Sequence, residues 1–296
     1  MDGRRADLLH ARRIAVRIVI TGAKGQLGCA VLQEALRRGH DAIGADIEDF
    51  DLTDKNAVHA YLTKAAPDFV IHCAAYTAVD KAESEPELAR AVNEFGTRYI
   101  AEYCAARDVW MLCVSTDYVF GGSGSAPWEV DDTLNPLSVY GATKLAGEQA
   151  AQSLCGKHMI VRTSWVFGPE GNHFVKTMLC LGGERTSLNI VSDQVGSPTY
   201  TIDLARLLCD MAERPQAGIY HAANAGYCSW AEFAAAVFAQ AGISCEVREI
   251  PSSEYPQAAQ RPLNSRLSPK SLIDAGYAPL PPWQDALRRY LNEGKI

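Results

Sequence analysis

Hydrophobic residues along this chain fall into short unbroken runs that alternate with stretches where they recur every three or four positions. The first run, Ala15-Val16-Arg17-Ile18-Val19-Ile20, is brief and β-branched, as expected of a strand covered on both faces. Next, Leu27, Val31, Leu32, Ala35 and Leu36 share one side of a helix that stops at Gly39. A second strand covers Ala42 to Asp46. A helix over 54–65 carries Ala57, Val58, Tyr61 and Leu62 on its apolar side, and Pro67-Asp68 leads into a strand from Phe69 to Cys73. Pro86 to Arg107 reads as one long helix and Val109 to Val114 as the next strand. Pro136 sets up another helix start, and Met159 to Thr163 is a further strand. Strands that alternate with helices in this way predict an α/β fold, a Rossmann-like doubly wound parallel sheet.

Beyond Gly168 the pattern loosens. Asp193 to Thr199 reads as a loop, Thr201 to Glu213 as a helix and Gly218 to Ala222 as a late strand. Ser229 caps a helix running to about Ala241, and the tail from Arg261 to Trp283 is rich in proline and basic residues. The expected division is a flexible extension over residues 1–13 and a dinucleotide-binding domain over 14–168 with later returning segments. Residues 169–296 then form mainly a smaller C-terminal substrate-binding lobe.

Composition narrows the class. With 48% hydrophobic and 21% charged residues, the chain is ordinary for a globular protein. No apolar run is long enough for a membrane span. Residues 1–13 carry Arg4, Arg5, Arg12 and Arg13 but no apolar core of a secretory signal. A net charge of −7 argues against coating nucleic acid. The nine cysteines are scattered, odd in number and without a Cys-x-x-Cys pair. This points to a reduced, cytoplasmic protein with no disulfide framework and no metal site.

The chemistry gathers at the strand ends. Gly22, Gly25 and Gly28 follow the first strand and open the first helix, the setting in which three glycines allow a tight turn and close approach of a pyrophosphate. Asp46 lies about twenty residues further on, where a carboxylate accepts from an adenosine ribose and repels a 2′-phosphate. With Glu48 and Asp49 beside it the field leans towards NADH over NADPH, although Arg17 and Lys24 offset it. Ala74 and Ala75, after the third strand, are small enough for a cofactor to lie flat. His72, inside an apolar run, reads as a satisfied core histidine. Thr116 ends the fourth strand and offers a hydroxyl to a substrate carbonyl. The glycine- and serine-rich loop from Gly121 to Ser125 follows it. Tyr140 and Lys144 stand one turn apart on one helix face. An ammonium beside a phenol lowers its pKa, making the pair a general acid/base for a carbonyl/alcohol couple.

With the Gly22 turn, Thr116 and Tyr140/Lys144 in place, the chain resembles the extended short-chain dehydrogenase/reductase superfamily. Within it, six blocks resemble the dTDP-4-dehydrorhamnose reductase family: Ala74 to Glu83, Ser115 to Phe120, Tyr140 to Glu148, Arg162 to Trp165, Asp193 to Thr199, and Arg261 to Ser265. The likeness runs from about Val16 to the C-terminus. It implies NADPH- or NADH-dependent reduction of the 4-keto group of dTDP-4-dehydro-L-rhamnose by a monomer or homodimer. It also implies Tyr140 as proton donor, Lys144 as its electrostatic partner and a ribose ligand, and Thr116 as the third member of the triad. Thr116, Asp117 and Trp165 match sugar-nucleotide contacts. Gly25, Gln26, Leu27, Asp46, Asp51, Leu52, Ala74, Ala75 and Tyr76 match cofactor contacts. Dehydratases of the superfamily carry Asp-Glu after the threonine, whereas here Asp117 is followed by Tyr118, which favours simple reduction. Two other readings stand beside this one: a non-catalytic regulatory subunit of a methionine adenosyltransferase, and a reductase of another 4-keto-6-deoxy sugar nucleotide.

Overall fold

The computed structural model describes residues 15–293; the extension expected over residues 1–13 lies outside them. The principal strands and helices, in chain order, are β1 (Arg17–Thr21), α1 (Gln26–Arg37), β2 (Asp41–Ala45), α2 (Lys55–Ala65) and β3 (Phe69–His72). Then come the helical stretch α3 (86–107), β4 (Trp110–Thr116), α4 (Val139–Leu154), β5 (His158–Thr163), α5 (Phe174–Glu184) and β6 (Ser187–Val191). The chain closes with α6 (Thr201–Glu213), β7 (Gly218–His221), α7 (Trp230–Ala241), β8 (Glu246–Ile250) and α8 (Trp283–Glu293).

Six strands form one parallel sheet in the order β7-β5-β4-β3-β1-β2. The strand runs lack polar alternation because both faces are covered. Ile18 and Ile20 of β1 pack with Val31, Leu112, Leu204 and Leu208 on the α1/α6 side. Val19 faces the other way, onto Val58, Leu62, Val70 and Ile100. The chain leaves β1 to one side for β2, then crosses to the other side for β3. This reversal opens a crevice at the carboxyl ends of β1 and β3, where open sheets of this type bind ligands. The register brings Thr21 level with both Ala45 and His72, and Thr116 level with Thr163.

A second core lies beyond the sheet. Phe167, Val175, Phe233, Val237, Phe238 and Leu287 pack between α5, α7 and α8. Beside them β6 and β8 form a separate parallel pair.

Three expectations are refined. The 86–107 helix is one continuous helical stretch, but Ala91–Gly96 within it is a π-helix between α segments Pro86–Arg90 and Thr97–Arg107. The supposed loop from Asp193 contains two-residue strands, Val195–Gly196 and Thr199–Tyr200. Pairs this short are held by neighbours from distant sequence, Cys228–Ser229 and Asn264–Ser265 for the first of them. The tail also carries α8, whose Trp283, Ala286 and Leu287 are buried.

Candidate active site

The turn after β1 is built by steric exclusion. Gly22 has φ +68°, and a Cβ there would meet the Ala74 backbone nitrogen at 2.7 Å. A Cβ on Gly28 would lie 2.0 Å from the Gly22 carbonyl oxygen. Only glycines let the turn, the first helical residues and the end of β3 come this close. Leu27, Ala30 and Val31 bury the inner face of α1 and fix its entry. No side chain caps that helix, so its first N–H groups keep their capacity for an anion. Gln26 donates from Nε2 to the Asn172 carbonyl at 3.1 Å, while its Oε1 is buried without a hydrogen-bond partner.

A cleft of about 1160 Å³ runs from this turn across the strand ends. The residues expected to act in catalysis or to contact cofactor or sugar nucleotide line it: Gly22, Gly25, Gln26, Leu27, Gly28, Asp46, Asp51, Leu52, Ala74, Ala75, Tyr76, Thr116, Asp117, Tyr140, Lys144 and Trp165. The glycine cradle, the open helix N-terminus and the orphaned Gln26 oxygen fit a dinucleotide. Asp46 accepts from the backbone of Lys24 at 2.8 Å and of Ile47 at 2.9 Å, so it braces the turn itself. Lys24 pairs with Glu48 at 2.8 Å and offsets part of the negative field on which the lean towards NADH rested. Asp51 accepts from the Thr53 amide and hydroxyl at 2.8 and 2.7 Å. Leu52 lies against Gly96 at the end of the π segment.

That π segment carries a residue the sequence reading missed. Asn93 accepts from the Tyr76 amide at 2.8 Å and donates from Nδ2 to the Tyr76 carbonyl at 3.2 Å and to Thr143 Oγ1 at 3.1 Å. One buried amide thus ties the cofactor-side loop to the helix of Tyr140. The wider π turn has no residue signature, so it was not legible, although a polar asparagine within an otherwise buried helix face was a signal.

Helix α4 starts where Ser138 caps the Gly141 amide at 3.2 Å. Tyr140, Lys144 and Glu148 then recur every four residues on one face. Lys144 is 4% exposed and donates from Nζ to the Val114 carbonyl at 2.7 Å. Tyr140 lines the cleft with Thr116 and meets the Tyr118 ring edge-on at 5.5 Å. Burial pushes the Tyr140 phenol up to about 12; the Thr116 hydroxyl works against this and the nearby Asp117 charge works with it. The expectation that Lys144 holds this pKa down is corrected. The ammonium is drawn to a carbonyl on β4, and desolvation of the phenolate dominates. A phenol that stays protonated at neutral pH is, by the same token, in the form an acid needs.

Below this face Glu148 and Arg162 form a buried ion pair, each side chain 1% exposed, at 2.7 Å. Ser115, the neighbour of Thr116, donates to Glu148, and Arg162 reaches the Val130 carbonyl at 3.1 Å. Arg162 also lies over the Phe120 ring at 5.1 Å. His72 is held between Thr21 Oγ1 at 2.7 Å and Thr97 Oγ1 at 3.1 Å. That is the satisfied core histidine expected from the sequence.

Asp117 is 2% exposed, and its Oδ2 has no hydrogen-bond partner. Burial raises its pKa to about 6, against hydrogen bonds from Ser265 and Thr116. Trp165 adopts φ +47°, a left-handed conformation that costs a bulky residue about 1–2 kcal/mol. Its indole is stacked on Trp230 at 3.5 Å, 11° from parallel, and packs where Gly196 leaves room. Trp230 also borders a second cavity of about 670 Å³, which carries Arg185, Arg248 and Arg261. A diphosphate-binding role was open for the Arg261 region from the sequence, but Trp230, Arg185 and Arg248 were not anticipated beside it, because they come from separate stretches of the sequence. Among the described residues no helix is long and apolar enough to cross a membrane.

Comparison with known proteins agrees with this architecture. A family model described as RmlD substrate binding domain matches residues 16–296. A Mycolicibacterium smegmatis protein named dTDP-4-dehydrorhamnose reductase is 44% identical over 291 residues, covering 97% of this chain and 88% of its own length. The Salmonella typhimurium protein of the same name is 40% identical, over 94% of this chain and 98% of its own. The crystal structure of dTDP-4-dehydrorhamnose reductase from Bacillus anthracis, in complex with NADP, superposes with a TM-score of 0.92 at 38% identity. It covers 95% of this chain and 100% of that one.

Proposed function

The chain belongs to the RmlD family of dTDP-4-dehydrorhamnose reductases, and on that premise we propose how its own residues carry out the reduction. The reaction is reduction of the 4-keto group of dTDP-4-dehydro-L-rhamnose to dTDP-L-rhamnose, with NADPH or NADH. When bound, the reduced nicotinamide supplies the hydride. The observation that carries the reading is the meeting of Tyr140, Thr116 and Lys144 in one cleft with the glycine cradle.

In this proposal Gly22, Gly25, Gly28 and Gln26 hold the pyrophosphate, and Ala74, Ala75 and Tyr76 form the floor beside it. Negative charge grows on the ketone oxygen during reduction. The Tyr140 hydroxyl protonates that oxygen while Thr116 shares the hydrogen bond. Lys144 supplies fixed positive charge beneath the phenol and, through its bond to Val114, is locked in place before substrate arrives. The free Oδ2 of Asp117 accepts from a sugar hydroxyl, Trp165 walls the sugar, and the basic cavity beyond Trp230 takes the nucleotide diphosphate. Tyr118, where a dehydratase has its acid, carries a phenol that burial makes still less acidic. This favours reduction without elimination, and the intact Tyr140, Thr116 and Lys144 set favours an enzyme over a regulatory subunit.

Reduced cofactor labelled with deuterium at the transferring position tests the reaction. The product nucleotide sugar gains one deuterium at C4 of the sugar; recovery of unlabelled keto sugar alone would overturn the reading. The Asp117 role has its own test. Its carboxyl ionises near pH 6, and only the ionised form is a full acceptor. Wild-type kcat/KM for the sugar nucleotide therefore falls as pH drops below 6, roughly tenfold per unit. In Asp117→Asn that acid limb disappears and the neutral-pH value is lower; an unchanged limb would remove Asp117 from this role.

A further inference from the structure

The segment 251–262 passes along the basic cavity as a strap. At one end Ser252 donates from its amide and hydroxyl to Asp193 at 2.9–3.0 Å. At the other, the Leu263 carbonyl accepts from Val195 at 2.8 Å and the Asn264 amide donates to the Gly122 carbonyl at 2.9 Å. Between these anchors the strap contributes Tyr255, Gln257 and Arg261 to the cavity wall. Its last residues, Ala259 and Arg261, are gripped from the cofactor side of the cleft by one carboxylate. Asp80 accepts from Arg261 at 2.7 and 3.1 Å and from the Ala259 amide at 3.0 Å. Arg261 also faces the phenol of Tyr118, whose ring edges Tyr140.

We propose that Asp80 is the latch of this strap, a positioning residue that holds Arg261 and its neighbours over the nucleotide half of the site and so sets affinity for the sugar nucleotide. The inference rests on the reading that the basic cavity takes the diphosphate. The geometry has two features a latch needs. A planar guanidinium met by both carboxylate oxygens, with a backbone amide added, fixes one closed position. The pair is also part-exposed, with Arg261 at 20% and Asp80 at 47%, so it stays weak enough to open for substrate entry and product release. Such a contact shifts the closed-to-open ratio by about tenfold. With open and closed strap near balance in the free protein, losing the contact cuts the closed fraction from about a half to about a tenth, and apparent affinity falls about fivefold with it. The hydrogen bonds and ion pair of Asp80 go to the strap and not to Tyr140, Thr116 or Lys144, so KM moves more than kcat.

The test compares wild type, Asp80→Asn, Arg261→Met and the double variant by kcat, sugar-nucleotide KM, dTDP affinity by calorimetry and cofactor affinity. The expected result is a KM and a dTDP Kd raised about fivefold in Asp80→Asn, with kcat and cofactor affinity within about twofold of wild type. The effect of the double variant falls short of the product of the two single effects, since either change removes the Asp80–Arg261 contact. A KM for Asp80→Asn within twofold of wild type, or a double variant whose effect is the product of the two single effects, overturns the latch. Amide hydrogen exchange judges the latch without ligand. Faster exchange over 255–261 in Asp80→Asn supports it, and unchanged exchange there overturns it. Wild-type protein that binds no dTDP would instead remove the nucleotide reading of the cavity, which keeps the two failures apart.

Discussion

Tyr140→Phe lowers kcat by about 10²–10⁴-fold while leaving cofactor binding close to wild type. The substitution removes one oxygen and keeps the ring, so the edge-on packing against Tyr118 survives. What disappears is the phenol that shares the cleft with Thr116 and Lys144. Its elevated pKa, about 12, keeps the proton on the oxygen at working pH. In the reducing direction the group acts as an acid, so a phenol protonated at rest starts in the correct state. The strength asked of it is modest, because the transition state brings an anionic oxygen to the same two hydroxyls. Steady-state kcat with a parallel measurement of cofactor affinity separates the two effects. A variant with near-normal turnover would take the proton from another group and end the assignment.

Arg162→Met destabilises the fold by about 3–5 kcal/mol, seen as a fall in melting temperature of roughly 10 °C. The change leaves the Glu148 carboxylate buried with Ser115 as partner and no cation. It also strips a donor from the Val130 carbonyl and a charge from the face of Phe120. Combining it with Glu148→Gln recovers part of the loss, because the second change removes the orphaned charge. Equal melting temperatures for wild type and Arg162→Met would show that the pair is dispensable. This pair also ties the catalytic helix to β5, one turn beyond Lys144, so the same variant loses activity before it unfolds.

The central sheet was legible because strands covered on both faces leave unbroken apolar runs, and the cofactor turn because only glycine tolerates the contact between Gly22 and Ala74. Most residues of the cleft were legible because they sit just past the end of a strand or on the first turns of a helix, where sequence position fixes place. Other features depend on contacts that no local pattern encodes. The β6–β8 pair joins segments more than fifty residues apart, and β8 has no buried position. The π segment shares its composition with an α-helix. The rise in the Tyr140 pKa is a consequence of burial, while the sequence shows only that a lysine is near. Trp165 was read as a contact residue, but its left-handed backbone and its stack on Trp230 exist only once residues 196 and 230 are brought beside it.

The central claim is tested most directly by following loss of reduced-nicotinamide absorbance with dTDP-4-dehydro-L-rhamnose, using NADPH and NADH in parallel. The account predicts turnover that depends on the keto sugar nucleotide. Absence of turnover with both cofactors, in protein shown to bind one of them, would contradict it.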